Sequence, residues 1–220
     1  MRFAAGFFVA AALASAPARA CMGPTVLFSD DFQQPSDAWQ TLRGDRLDIS
    51  GGALAFTPNG GAFGVAIYTA QSMDSGDACV SITTPPALIH PASSWAGIVF
   101  GLKPGLNNQA SGYYALLISP SGNAIMLESL AGHHSANLAA MPAIKTGSNA
   151  VNMLRVTWNG ASGQAYVNGQ PFGKFNIAAL KDTLFGFWAA GDANDILTLG
   201  GTRARGATWK FGSPTITSVP

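Results

Sequence analysis

Leu154-Arg155-Val156-Thr157-Trp158, Asn159-Gly160-Ala161-Ser162-Gly163, Gln164-Ala165-Tyr166-Val167, Asn168-Gly169: across these residues apolar and polar side chains alternate in two runs, and each run stops at residues that tolerate positive φ. A period of 2 sends successive side chains to opposite faces of an extended chain, so Leu154, Val156 and Trp158 share one face. Arg155, Thr157, Gln164, Tyr166 and Asn168 fall on the other. The stretch predicts two antiparallel strands and the turn into a third.

The same grammar extends in both directions. Short alternating or apolar runs cover residues 53–56, 65–68, 79–82, 96–102, 113–118, 184–189 and 215–217, and Gly51-Gly52, Asn59-Gly60-Gly61 and Pro120-Ser121-Gly122-Asn123 separate them. Residues 124–131 have helical composition, yet the tight turn before them predicts a strand. Asn176 is placed to cap a single helical turn over residues 177–180. A dozen or so short strands with polar turns predict an all-β, two-sheet antiparallel sandwich.

The 220 residues include 26 Gly, 13 Pro and 2 Cys, with 48% hydrophobic and 10% charged residues, a composition that can bury one large core. A formal net charge of +1 with scattered charges excludes a basic nucleic-acid-binding stripe. Residues 1–20 read as a signal peptide: Arg2, an apolar stretch over residues 3–16, then Ala18-Arg19-Ala20 before Cys21. The stretch is too short to span a membrane, and no later segment is apolar for that length. The expected mature chain is one domain, residues 21–220, secreted or periplasmic. Loss of Arg2 and Arg19 brings it to 10 basic against 11 acidic residues. Cys21 is also where a lipoprotein would be acylated, but Ala18 and Arg19 do not make a lipobox. In an oxidising compartment Cys21 and Cys79 are expected to form a disulfide; the alternative is a buried Cys79 and a frayed Cys21.

Several patterns together resemble the concanavalin A-like (laminin G-like) superfamily over roughly residues 26–218. They are Asp30-Asp31-Phe32 followed by Trp39, Ser94-Trp95-Ala96-Gly97-Ile98-Val99-Phe100-Gly101, Gly112-Tyr113-Tyr114-Ala115-Leu116-Leu117, Leu154-Arg155-Val156 leading to Tyr166-Val167-Asn168-Gly169, and Leu184-Phe185-Gly186-Phe187-Trp188. The likeness is greatest to exported 3-keto-disaccharide hydrolase-type domains. It implies a jelly roll whose concave sheet holds glycans, in a superfamily that also contains glucanases and protein-binding modules. It also implies a calcium site in some members, with Asp30 or Asp31 as the acid here; otherwise no cofactor or metal is expected.

Glycoside hydrolysis by the usual route needs two carboxyl groups about 5 to 5.5 Å apart for retention, or about 6.5 to 9.5 Å for inversion. Glu128 is the only glutamate. Glucanases of the superfamily alternate acids along one strand, where this chain has Met126, Glu128 and Leu130. Asp192 and Asp195 share a loop and read as an exposed turn. Gly160-Ala161-Ser162-Gly163 breaks the nucleophile-elbow spacing, and His133-His134 reads as a pair of solvated loop histidines. No catalytic residue is therefore assigned.

For binding, strand parity is informative. If Ala96, Ile98, Phe100 and Leu102 face the core, Trp95, Gly97, Val99 and Gly101 face away; if Phe185 and Phe187 are core, Leu184, Gly186 and Trp188 are outward. An aromatic beside bare backbone suits a sugar, whose CH face stacks on the ring. The opposite parity buries both tryptophans, and the sequence leaves both open. The candidate ligand-binding residues are Trp95, Tyr113, Trp188, Tyr166 and Asn108, with Asn107 beside the last. A carbohydrate or polysaccharide partner is the first expectation. Protein interaction of the laminin G-like type, or hydrolysis of 3-keto-disaccharides, is the alternative.

Overall fold

The computed structural model describes residues 21–41, 45–58, 63–88, 90–104, 110–130, 133–177, 180–190 and 207–220. Two antiparallel sheets face each other. The seven-stranded sheet runs, edge to edge, β10 (His133–Ala140), β9 (Asn123–Leu130), β8 (Ala110–Ile118), β7 (Trp95–Pro104), β14 (Leu184–Ala190), β5 (Gly64–Tyr68) and β2 (Trp39–Thr41). The nine-stranded sheet runs β13 (Gln170–Asn176), β12 (Ser162–Val167), β11 (Val151–Asn159), β6 (Gly76–Thr83), β15 (Trp209–Gly212), β4 (Ala53–Thr57) and β3 (Arg46–Ser50). Its other two strands are β16 (Thr215–Thr217), which also pairs with β6, and β1 (Val26–Ser29), which pairs with β16.

Alternation sets the register as expected. In β11 Leu154, Val156 and Trp158 are buried and Arg155 and Thr157 are not fully so. The β12–β13 turn is Asn168-Gly169, both at positive φ (50° and 80°), the geometry a two-residue hairpin needs to match strand twist. Residues 123–130 form a strand against their helical propensity because β8 and β10 hydrogen-bond them from both sides. Residues 178–179, within the expected helical turn, lie outside the described residues, as do 1–20.

Between the sheets, Phe100, Tyr114, Leu116, Phe185 and Phe187 meet Leu54, Phe56, Val80, Ile82, Trp158 and Phe211, all fully or almost fully buried. Trp39, Phe187 and Phe211 stack in series, with centroids 4.9 Å and 4.4 Å apart, and so bridge the two sheets. Each such side chain contributes about 1.5 to 3 kcal/mol by leaving water.

The Asp30-Asp31-Phe32…Trp39 pattern has a structural use. Phe32 sits at φ 54° and is fully buried. Asp30 holds it there: its Oδ1 accepts the Phe32 N–H (2.8 Å) and its Oδ2 the Trp39 indole N–H (2.8 Å). Both oxygens of Asp30, one of the two acids implied for calcium, thus already accept protein hydrogen bonds, and Oδ1 of the other, Asp31, accepts the Gln33 N–H.

Cys21 and Cys79 are disulfide-bonded, with Cα atoms 5.6 Å apart. The bridge lays the N-terminal segment over the outer face of the nine-stranded sheet beside Asp77, which is fully buried. The Arg155 guanidinium donates to both Asp77 oxygens (2.7 and 2.9 Å), and the Met22 N–H adds a third hydrogen bond (3.0 Å). A buried carboxylate is tolerated only with such complete pairing.

Candidate functional site

Of the two parities left open for β7 and β14, the one that turns the tryptophans outward holds over most of their length. Ala96, Ile98 and Phe100, with Phe185 and Phe187, fill the space between the sheets; Trp95, Tyr113 and Trp188 all belong to a second apolar cluster on the outer face of the seven-stranded sheet. One expectation fails. Leu102 is on the outer face because Gly101 adopts φ 61° and the pairing register shifts there, so parity inverts beyond the bulge.

On this face Trp188 is 7% exposed, Trp95 and Tyr113 are half-buried, and Phe63 stacks on Trp188 at 5.4 Å and 15°. Trp188 opposes Gly97 and Trp95 opposes Ala190, which makes the two tryptophans diagonal neighbours. Tyr113 lies at the other end of the β7–β8 pair, near Lys103. At about 3.3 Å per residue, it is on the order of 20 Å from Trp95 along the strands. Between them on β7 and β8 the outward residues Val99, Leu102, Ala115 and Leu117 are fully or almost fully buried, and Val65 and Ile67 extend the same layer on β5.

The glycines expected to leave bare backbone for a ligand do something else. A Cβ on Gly97 would collide with the Leu116 carbonyl, and one on Gly186 with the Ala66 carbonyl. Neighbouring strands already occupy that space. Tyr166 is not on this face: it lies on the outer side of the nine-stranded sheet, its ring 4.9 Å from the Arg155 guanidinium, where it covers the ion pair with Asp77. Asn107 and Asn108 fall outside the described residues, as do Asp192 and Asp195.

A concavity of about 340 Å³ opens between the sheets where β9 and β10 face β13. Glu128 is the one carboxylate among the residues that line it. The Ser135 hydroxyl donates to its Oε2 (2.9 Å), and His133 Nδ1 stands 3.7 Å from Oε1. His133 and His134 are on strand β10 rather than in a loop and diverge to opposite faces; His134 Nδ1 lies 3.1 Å from the Ser129 hydroxyl. Sequence reasoning noted Glu128 in an alternating row but not the cleft, which joins residues some forty positions apart. Among the described residues the one cluster with three potential metal-ligand side chains is Cys21, Asp77 and Cys79, whose two sulfurs are bonded to each other.

No family model and no curated protein sequence matches the chain. Solved structures do. A carbohydrate-binding module, CBM66 from Bacillus subtilis, is 12% identical with a TM-score of 0.57 and covers 80% of this chain and 92% of its own. The laminarinase catalytic domain from Thermotoga maritima MSB8 is 10% identical with a TM-score of 0.63, covering 89% and 98%. The Bacillus licheniformis β-glucanase is 11% identical with a TM-score of 0.62, covering 87% and 98%. At these identities the likeness is one of architecture, and it agrees with the two sheets and their order: the chain is built on the concanavalin A-like jelly roll shared by these carbohydrate-binding and glucanase domains.

Proposed function

We propose that the protein is an exported glycan-binding module that holds a polysaccharide segment along the outer face of its seven-stranded sheet. The observation that carries this is the placement of Trp95, Tyr113 and Trp188 on one outward face. Trp188 forms the floor, and the two half-buried rings stand at either end, far enough apart for several sugar units. Aromatic rings suit the CH faces of a glycan, whose affinity then comes from stacking rather than charge. The fold agrees, since its structural neighbours include a carbohydrate-binding module and glucanases.

Residues 1–20 support export, and the Cys21–Cys79 disulfide suits an oxidising compartment. Among the described residues no helix is long and apolar enough to cross a membrane. Protein docking of the laminin G-like type has less support: the exposed large hydrophobics among the described residues, such as Val26, Leu138 and Val151, do not belong to this face.

Titration calorimetry with laminaritetraose, followed by a glycan array, tests the proposal. Binding should weaken about tenfold, or about 1.4 kcal/mol, in both Trp95→Ala and Tyr113→Ala. An array without signal, or both variants binding as the parent does, overturns it.

A further inference from the structure

We propose that the cleft between β9–β10 and β13 is a second binding site, which takes a single neutral sugar ring. It rests on the carbohydrate reading above but not on the aromatic face.

Three features set its chemistry. The first is the inward row of β9, which reads Ala124, Met126, Glu128, Leu130. Burial of Ala124 and Met126 fixes the row toward the opposite sheet, so the register aims Glu128 between the layers rather than to open solvent. Its side chain keeps 26% exposure at the mouth. Ser135 occupies Oε2; Oε1 has only His133 at 3.7 Å, too long for a hydrogen bond, and can accept one from a ligand.

The second feature is Gly173, which pairs with the inward-facing Ala165 on the edge strand opposite. Its backbone is not in the left-handed region, and a Cβ built there would meet nothing within 4 Å. The pairing of β13 with β12 shifts register beside Gly173, but neither a positive φ nor a packed neighbour requires glycine there. Open space beside such a glycine is what close approach of a ligand looks like. The contrast with Gly97 and Gly186, both pressed by neighbouring backbone, is direct.

The third is the balance of the lining. Phe172 and Phe175 pack on the core from β13 and offer apolar surface, and Phe175 is braced by Phe100 at 5.7 Å. Asn137, on the inward row of β10, supplies an amide and Glu128 the charge, whereas Lys174 and Asn176 pair with Gln164 and Ser162 of the outward row and border the cleft at its rim. An apolar ligand would strip water from these polar groups and pair none of them. An anion would confront Glu128. A neutral, hydroxyl-rich ring with one CH face satisfies all of them. The volume, about 340 Å³, lies at the low end of small-molecule pockets, about 300 to 1,000 Å³. It suits one ring, whether a free monosaccharide or the end of a chain.

The test is amide chemical-shift mapping with methyl β-glucoside, methyl β-galactoside, methyl β-fructoside and laminaritetraose. At least one probe should shift the amides of Glu128, Ser135, Asn137 and Gly173. A response to methyl glycosides identifies a free-ring site, and one to laminaritetraose alone a chain-end site; both support the proposal. Gly173→Val should abolish the response while the melting temperature holds or rises, since the methyls fill empty space on a strand. Loss of function with gained stability is a result that a merely structural glycine cannot give. Glu128→Ala should weaken binding about tenfold, and Trp95→Ala should leave the cleft response within about twofold. The cleft assignment is overturned if no probe shifts these amides, or if the response persists in Gly173→Val and Glu128→Ala. Laminaritetraose binding that depends on Trp95, with a silent cleft, would reject this site and leave the proposed function standing. A responsive cleft, with total laminaritetraose affinity unchanged in both Trp95→Ala and Tyr113→Ala, would do the reverse.

Discussion

Strand β11 alternates without a break, Asn152, Leu154, Val156 and Trp158 buried and the residues between them only partly so, whereas β7, β14 and β5 bury nearly every side chain they carry. The two sheets therefore use their outer faces differently. On the nine-stranded sheet the outer face is polar and tied down: the Arg155–Asp77 pair, Tyr166 over it, and the disulfide beside it. On the seven-stranded sheet the outer face is a second apolar layer. Stability is concentrated where one face meets the other sheet.

That contrast can be broken by experiment. The largest loss should follow Phe187→Ala, which removes the middle ring of the Trp39–Phe187–Phe211 stack; denaturant unfolding should show about 3 to 5 kcal/mol. Asp77→Ala should come next, at about 3 kcal/mol, because the Arg155 guanidinium is left without its partner. If Asp77→Ala proves neutral, the outer face of the nine-stranded sheet is not the clamp described. Trp188→Ala should cost less, about 2 kcal/mol, with its loss appearing mainly in glycan binding. A Trp188→Ala cost equal to that of Phe187→Ala would make the outer apolar layer a second core rather than a recognition face.

The smallest effect concerns acid. Burial alone would raise the pKa of Asp74, but hydrogen bonds from the Thr183 and Asp182 N–H groups and the Thr183 hydroxyl, with Lys103 nearby, bring it below its ordinary 3.8. A carboxylate depressed on folding stabilises fully above its unfolded value, and that contribution is lost as pH falls through the folded one. Asp74→Asn should flatten the acid limb of the stability curve between about pH 5 and 3. An unchanged acid limb would remove Asp74 as its source.

What the sequence disclosed was local. Alternation and turn residues located the hairpins, but they left Trp95 and Trp188 open between two parities, because parity needs neighbours of known burial. Three things escaped. Leu102 changed sides at a bulge, since Gly101 in a strand reads the same whether its φ is negative or positive. Gly97 and Gly186 looked vacant because the backbone pressing on them belongs to other strands. The cleft is the deepest omission: it exists because β13 ends up opposite β9 and β10, and its two signals, an inward Glu128 and an unneeded Gly173, acquire meaning only together. Tyr166 was assigned to a ligand for want of a view of Arg155 beneath it.

The pairing of β15 and β16 with β6 sets an order of events. Residues 209–217 are synthesised after every strand they join, and until they arrive one edge of β6 stays open and the Cys79 end of that strand lacks its neighbour Thr215. Closure of the larger sheet therefore waits for segments far apart in the chain to meet at β6.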